Sequence, residues 1–248
     1  MEKMMHLAAQ YLAAAGISFV AKEDDDSHTN LGFSVETGSM TTHPLSANGD
    51  VLSLDYKNFT LNWVAQENKA SFRLDGATHE KTVAWLQEVS NTFLSKTYRY
   101  DFHYELPYEI ADDFIFKLHD SGKLNALIHL RILAQLTLEK VLQEHGLTSE
   151  VRVWPHHFDS GAYAQLDKDF AIGFGLAVPD DMCNEHYFYI SGYAGHNALS
   201  TEGFSALSRG EWKNEGFKGA ILPATEVKEL EAVLFFKEAI ENYKTVSE

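Results

Sequence analysis

The sequence contains one cysteine and only five prolines in 248 residues. The single thiol, Cys183, excludes an internal disulfide framework and a zinc cluster held by several thiolates. The low proline content, together with 45% hydrophobic residues, excludes a disordered chain and predicts a folded core. The N-terminus lacks the shape of a signal peptide, so we expect a protein of the reducing cytoplasm.

Basic residues are scarce as well. The chain has 20 Lys and Arg against 36 Asp and Glu, which gives a formal net charge of −16. A surface of this sign repels nucleic-acid phosphates and anionic lipids, so we expect neither a nucleic-acid nor a membrane partner. No apolar run approaches the roughly 18 residues that a membrane-spanning helix requires. The sequence leaves the oligomeric state open.

The order of hydrophobic patterns predicts an α+β fold. After an N-terminal helix over 1–15, four short alternating segments joined by turn residues predict antiparallel strands, and a second block of strands is predicted over 150–193. Helical periodicity predicts a helix over 78–96 capped by Thr78, two more over 108–119 and 124–145, and a final helix over 224–243. We also predict a strand over 98–104. The expectation is an antiparallel β-sheet built from two strand blocks and packed with several helices, in a single domain over 1–248. Any division into two lobes is expected near 98–150.

The segment 153–161 carries the densest set of side chains capable of chemistry. Pro155 keeps the residue before it extended, so we predict one strand through 152–164. Successive side chains of a strand alternate between its faces. This alternation predicts His157, Asp159 and Tyr163 on one face, with Trp154 and Phe158 on the buried face.

The next predicted strand, 170–178, has one bulky face and one bare face. We expect it to pair antiparallel with 152–164, with Ile172, Phe174 and Leu176 buried and the glycines beside His157 and Asp159. Glycine inside a strand often marks close approach by a ligand or by another backbone. On the following strand, Tyr187 and Tyr189 alternate with apolar residues and are predicted to wall the same glycine floor.

Three interpretations of this patch remain open. The favoured one is a site for a small polar molecule formed by His157, Asp159, Tyr163, Tyr187 and Tyr189, with no cofactor and no metal. The second is a non-catalytic structural or interaction protein, in which a helix covers the glycines and His157 hydrogen-bonds Asp159. A metal-dependent hydrolase ranks lower, because a catalytic metal normally takes three protein ligands and this segment supplies two. The chain has no serine elbow, Walker loop or HExxH helix, so whether it is an enzyme stays open.

Four short motifs support a resemblance to a known family. They are 38–44 (GSMTTHP), 157–159 (HFD), Tyr187-Phe188-Tyr189 together with Tyr193, and 219–223 (GAILP) before the final helix. With these motifs the chain resembles a family of mostly bacterial proteins of unknown function that carry a His-Phe…Phe-Asp-type strand motif. The resemblance implies a shared fold and brings no activity with it.

Overall fold

The fold is α+β, as the sequence predicts, and the two predicted strand blocks form two antiparallel sheets rather than one. The computed structural model describes residues 1–66, 68–106, 108 and 110–247. In this part of the chain the helices are α1 (Glu2–Phe19), α2 (His79–Leu94), α3 (Ser121–His145) and α4 (Glu229–Ser247). The strands are β1 (Gly32–Ser34), β2 (Ser39–Thr41), β3 (Val51–Asp55), β4 (Thr60–Ala65), β5 (Asn68–Arg73), β6 (Arg152–Trp154), β7 (Asp159–Gln165), β8 (Phe170–Ala177), β9 (Tyr187–Ala194), β10 (Asn197–Ala198), β11 (Glu211–Lys213) and β12 (Gly219–Pro223).

The chain divides into two compact units. One unit contains residues 1–132 and 153–158, and the other contains residues 133–152 and 159–248. Each unit has its own sheet, described below. None of the helices in the described residues is both long enough and apolar enough to cross a bilayer.

The first unit contains a five-stranded sheet in the order β1-β2-β3-β4-β5. β3 buries alternate residues, Leu52 and Leu54, as expected for a strand with one face in the core. α1 is buried at every position from Met5 to Gly16. The first unit therefore has a helix at its centre, with residues such as Tyr11 fully inaccessible to solvent.

α1 does not end before Gly16, although the sequence predicts a helix over 1–15 only. The helix continues to Phe19. A Cβ atom at position 16 would lie 2.6 Å from the carbonyl oxygen of His28. The glycine is required by this close approach of backbone rather than by a helix end.

The second unit contains strands in the order β11-β12-β9-β8-β7, with β10 paired to β9. The sheet has seven strands in all, and along the chain the division between the units at residues 152 and 153 falls within β6. On one face, Phe236 of α4 packs against Phe174 of β8 and Phe188 of β9, with ring centroids 5.5 and 5.7 Å apart. This contact buries the bulky face of β8 as predicted.

The segment between α2 and α3 differs from the prediction. The expected strand over 98–104 does not form, and the described residues of 108–119 contain no helix. In place of a helix, the backbone of this segment bonds to the start of α2. The amides of His79 and Glu80 donate to the carbonyl oxygens of Phe114 and Asp112 at 3.0 and 3.2 Å.

Candidate functional site

The predicted pairing of β7 with β8 forms, and its register settles which residues share a face. Gly161 lies opposite Gly175, and Tyr163 lies opposite Gly173. Across β8, Gly175 lies opposite Tyr189 of β9. Residues directly opposite one another in an antiparallel pair point to the same side of the sheet. The bare face of β8 and the tyrosines therefore share one side, as the alternation predicts.

The side chain of Tyr189 fills the space above the glycines. A Cβ atom on Gly175 would lie 2.8 Å from the Tyr189 hydroxyl and 2.9 Å from its ring carbon Cε1, and one on Gly161 would lie 3.0 Å from the same hydroxyl. That hydroxyl donates a 2.5 Å hydrogen bond to Oδ2 of Asp159. Burial, and then the neighbouring carboxylate, raise the pKa of Tyr189 well above its usual value. The phenol thus stays a neutral donor.

The other predicted tyrosines have separate surroundings. Tyr187 is buried and donates a 2.6 Å hydrogen bond to Oδ2 of Asp180. Burial, and then the hydrogen bond to Asp180, raise the pKa of Tyr187 above its usual value. Tyr163 is 53% exposed and its ring lies 6.1 Å from that of Tyr193. A Cβ atom on Gly173 would lie 3.4 Å from the Tyr193 ring. Tyrosine side chains therefore lie over Gly161, Gly173 and Gly175.

Asp159 has one satisfied and one unsatisfied carboxylate oxygen. Its Oδ1 is buried, and no described group donates a hydrogen bond to it. Within the described residues, no set of three or more His, Cys, Asp and Glu side chains is arranged to hold a metal ion.

His157 does not lie on a strand, which corrects the prediction of one continuous strand over 152–164. Residues 155–158 form a turn, closed by a 2.6 Å hydrogen bond from the Phe158 amide to the Trp154 carbonyl. Phe158 has φ +61°, a left-handed conformation that breaks strand alternation. His157 is exposed, with its ring 4.2 Å from that of His156. Strand alternation therefore does not place His157 on the same face as Asp159.

Buried polar side chains of the first unit hold this turn. His6 Nε2 and Gln10 Nε2 lie 2.7 and 2.6 Å from the Pro155 carbonyl oxygen. The guanidinium of Arg131 donates to the Phe158 carbonyl and lies 4.3 Å from the centroid of its ring. Burial, against the effect of the Pro155 hydrogen bond, lowers the pKa of His6 to about 4. Their role is to fix the backbone of the turn.

A cleft of about 640 Å³ opens at the first turn of α2, and we call it the His79 cleft. From α2 it is lined by His79, Glu80 and Gln87, and from the segment after α2 by Tyr98, Arg99, Tyr100 and Asp101, with Asp112 completing the wall. Glu80, Arg99, Asp101 and Asp112 are exposed. The cleft therefore presents charged groups to solvent around a histidine.

His79 is only 8% exposed, and one of its two ring nitrogens is already paired. Nδ1 lies 2.8 Å from the hydroxyl of the fully buried Tyr11. No described residue hydrogen-bonds Nε2. Burial lowers the pKa of His79, with Asp112 opposing, so the ring is favoured in its neutral form. The Tyr11 hydroxyl can donate or accept, so it supports either neutral tautomer, and Nε2 can serve a ligand as donor or acceptor.

The far wall of the cleft is fixed by hydrogen bonds to two helices. The Tyr98 hydroxyl donates to the Tyr11 carbonyl at 3.2 Å, and the Tyr98 amide donates to Ser90 Oγ of α2 at 3.1 Å. The Tyr100 ring meets His79 edge to face at 4.7 Å. Its hydroxyl is buried and has no partner among the described residues. This wall is thus held in place without regular secondary structure.

No sequence pattern points to the His79 cleft. The sequence predicts Thr78 as the cap of α2, and its side chain does accept from the Lys81 amide at 3.2 Å. The histidine after it carries no local signal, because its partner Tyr11 lies 68 positions earlier in the chain. The one available hint was the run of aromatic residues at 98–104.

Comparison with family models, with curated proteins and with solved structures finds no match for this chain. The resemblance to bacterial proteins of unknown function stays an expectation.

Proposed function

We propose that the protein binds a small polar ligand, and that the His79 cleft is the binding site. One observation carries the proposal: a histidine more than nine-tenths buried lines an open cleft with Nε2 unpaired among the described residues. This nitrogen is not among the buried polar atoms that lack a partner, so it is open to the cleft, where a ligand group can bond to it.

The size and lining of the cleft agree with this proposal. Small-molecule sites enclose roughly 300–1,000 Å³ and present a few fixed polar groups that orient the ligand. Here the volume is about 640 Å³, and His79 is held by Tyr11 while Tyr98 is held by α2. Side chains restrained in this way lose little conformational freedom when a ligand binds.

The sheet face around Asp159 supports binding less well. The space over its glycines is occupied by Tyr189, and the unpaired Oδ1 of Asp159 has almost no exposed surface. A ligand at Asp159 has to displace the Tyr189 ring first. The observation that favours Asp159 as a second candidate site is its unsatisfied carboxylate oxygen, Oδ1.

The experiment is an NMR titration of imidazole-labelled protein with ethanolamine, which offers both a cation and a hydroxyl. We expect saturable shifts of the His79 ring signals. The variant Asp112→Asn should weaken binding by up to about fivefold, since an exposed ion pair contributes about 0.2–1 kcal/mol.

Asp113→Asn is the matched control. Asp113 is exposed and adjacent to Asp112 in the chain, but it does not line the His79 cleft. The affinity of this variant for ethanolamine should therefore equal that of the wild type. Ring signals of His79 that do not respond to ethanolamine, or that respond equally in the two variants, would contradict the proposal.

A further inference from the structure

A second cavity adjoins the His79 cleft, and its lining is of the opposite kind. It encloses about 880 Å³ and is lined largely by apolar groups, among them Leu106, Tyr108, Ile110 and Phe114. We call it the apolar cavity. Glu105 is the one carboxylate among its described lining residues.

The two spaces share a wall. Tyr100 lines both of them, and the chain neighbours Ala111 and Asp112 line one each. Adjacent Cα atoms lie about 3.8 Å apart, so a group bound at Asp112 is one short aliphatic chain from the apolar cavity. A short aliphatic chain is long enough to span this distance.

We infer that the ligand is amphipathic, with an ammonium head in the His79 cleft and an apolar tail in the apolar cavity. This inference rests on the proposed function and names the class of ligand. The head contacts the carboxylates of the cleft, and the tail contacts the side chains around Ile110.

Charge and hydrogen bonding in the cleft favour a cation over an anion. Three carboxylates, those of Glu80, Asp101 and Asp112, face one guanidinium, that of Arg99. The N-terminus of α2 offers an anion no free amide, because the first three amides of the helix already donate to Phe114, Asp112 and Thr78. A neutral His79 adds no positive charge, and its Nε2 can accept from an ammonium group when Nδ1 donates to Tyr11.

The aromatic wall suits the same ligand. The faces of tyrosine rings attract ammonium groups, and hydrocarbon chains pack against aromatic and aliphatic side chains. Tyr100 stands where head and tail meet, with its ring fixed against His79 at 4.7 Å and against Phe102 at 4.9 Å.

The test uses ethylammonium, butylammonium and hexylammonium, with hexanol and hexanoate as head-group controls. Binding is followed through the His79 ring signals and by calorimetry. We expect affinity to rise up to about fourfold for each added methylene that is buried. Hexanol should bind more weakly than hexylammonium, and hexanoate should not bind.

Two variants separate the head from the tail. Ile110→Ser should flatten the dependence on chain length and leave ethylammonium affinity unchanged, while Asp112→Asn should weaken all three amines by a similar factor. Ile115→Ser is the matched control, because Ile115 is 44% exposed and lines neither space. Melting temperatures of the unliganded variants check that each has folded.

The outcomes are distinct. Saturable binding of all three amines with equal affinity, or a chain-length dependence that persists in Ile110→Ser, overturns the tail assignment and leaves the proposed function standing. Tighter binding of hexanol or hexanoate than of hexylammonium overturns the head assignment. If none of the probes perturbs His79, both the proposed function and this inference fail.

Discussion

Two glycines of β8 offer a sharp test of how the bare sheet face is filled. Gly173 and Gly175 lie two residues apart on the same face of one strand, and both are flanked by bulky buried residues. A Cβ atom at 175 would lie 2.2 Å from the Ser160 carbonyl oxygen, 2.8 Å from the Tyr189 hydroxyl and 2.9 Å from its ring. A Cβ atom at 173 would meet only the rings of Tyr193 and Tyr163, at 3.4 and 3.7 Å.

The expected stabilities follow from these distances. Replacing glycine by alanine stabilises a compatible site by about 0.4–1 kcal/mol, because the unfolded chain loses freedom. Gly173→Ala should therefore be neutral or slightly stabilising. At 175 the carbonyl belongs to the backbone of the paired strand, which must shift by about 1 Å to restore a normal carbon–oxygen contact of about 3.3 Å. Overpacking of this kind costs about 1–3 kcal/mol, so we expect Gly175→Ala to be less stable than Gly173→Ala by about that amount.

The assay is urea denaturation of the two variants side by side, followed by far-ultraviolet circular dichroism. The variants share composition, strand and face, so propensity and unfolded-state effects cancel in the difference. Equal midpoints would refute the close approach of Tyr189 and β7 at Gly175. They would also favour the interpretation in which the glycines leave space for a ligand.

Local patterns predicted the sheet elements well, because strand alternation reflects a burial that each strand carries in its own sequence. The alternation of Ile172, Phe174 and Leu176 predicted the buried face of β8, and all three side chains are at most 3% exposed. The Thr78 cap predicted the start of α2, and its hydrogen bond forms as expected. These signals span a few residues and need no knowledge of the rest of the chain.

The aromatic segment after α2 shows where local patterns fail. Tyr98, Tyr100, Phe102 and Tyr104 alternate as a strand does, but a strand also needs a neighbour to complete its backbone hydrogen bonds. In the structure these rings pack on one another, with centroids 4.9 Å apart for Tyr100 and Phe102 and 5.2 Å apart for Phe102 and Tyr104. Their alternation reflects aromatic packing against α1 and α2 rather than a sheet.

The candidate sites depend on contacts that local patterns cannot supply. Alternation predicted that Asp159 and Tyr189 share a face, and their hydrogen bond agrees. It could not indicate that the Tyr189 ring lies across two glycines, since that depends on how a third strand docks. It also failed at His157, because the left-handed φ of Phe158 turns the chain. The His79 cleft is lined by residues from α2 and from the segment after it, with His79 held by Tyr11 of α1, and no spacing rule connects them.

Three further predictions follow from buried contacts. Gly16→Ala should destabilise the protein by about 1–3 kcal/mol in urea denaturation although alanine favours helices, because its Cβ would lie 2.6 Å from the backbone of His28. Unchanged stability would contradict the close packing of α1. Tyr189→Phe leaves the Asp159 carboxylate without its described donor and should cost about 1–3 kcal/mol, whereas Asp159→Asn, which keeps an acceptor, should cost less. The reverse order, measured by thermal unfolding, would show that the carboxylate is not held by Tyr189. The third concerns acid. His6 is buried, and its pKa falls from 6.5 to about 4 on folding, so between these values the unfolded chain binds more protons than the folded one. The free energy of unfolding should therefore fall as the pH is lowered through this window, by at most about 3 kcal/mol from this group. His6→Gln keeps a donor for the Pro155 carbonyl but cannot titrate, so its unfolding free energy should vary less with pH. Identical pH profiles for this variant and the wild type, measured by urea denaturation, would show that protonation of His6 does not control acid stability.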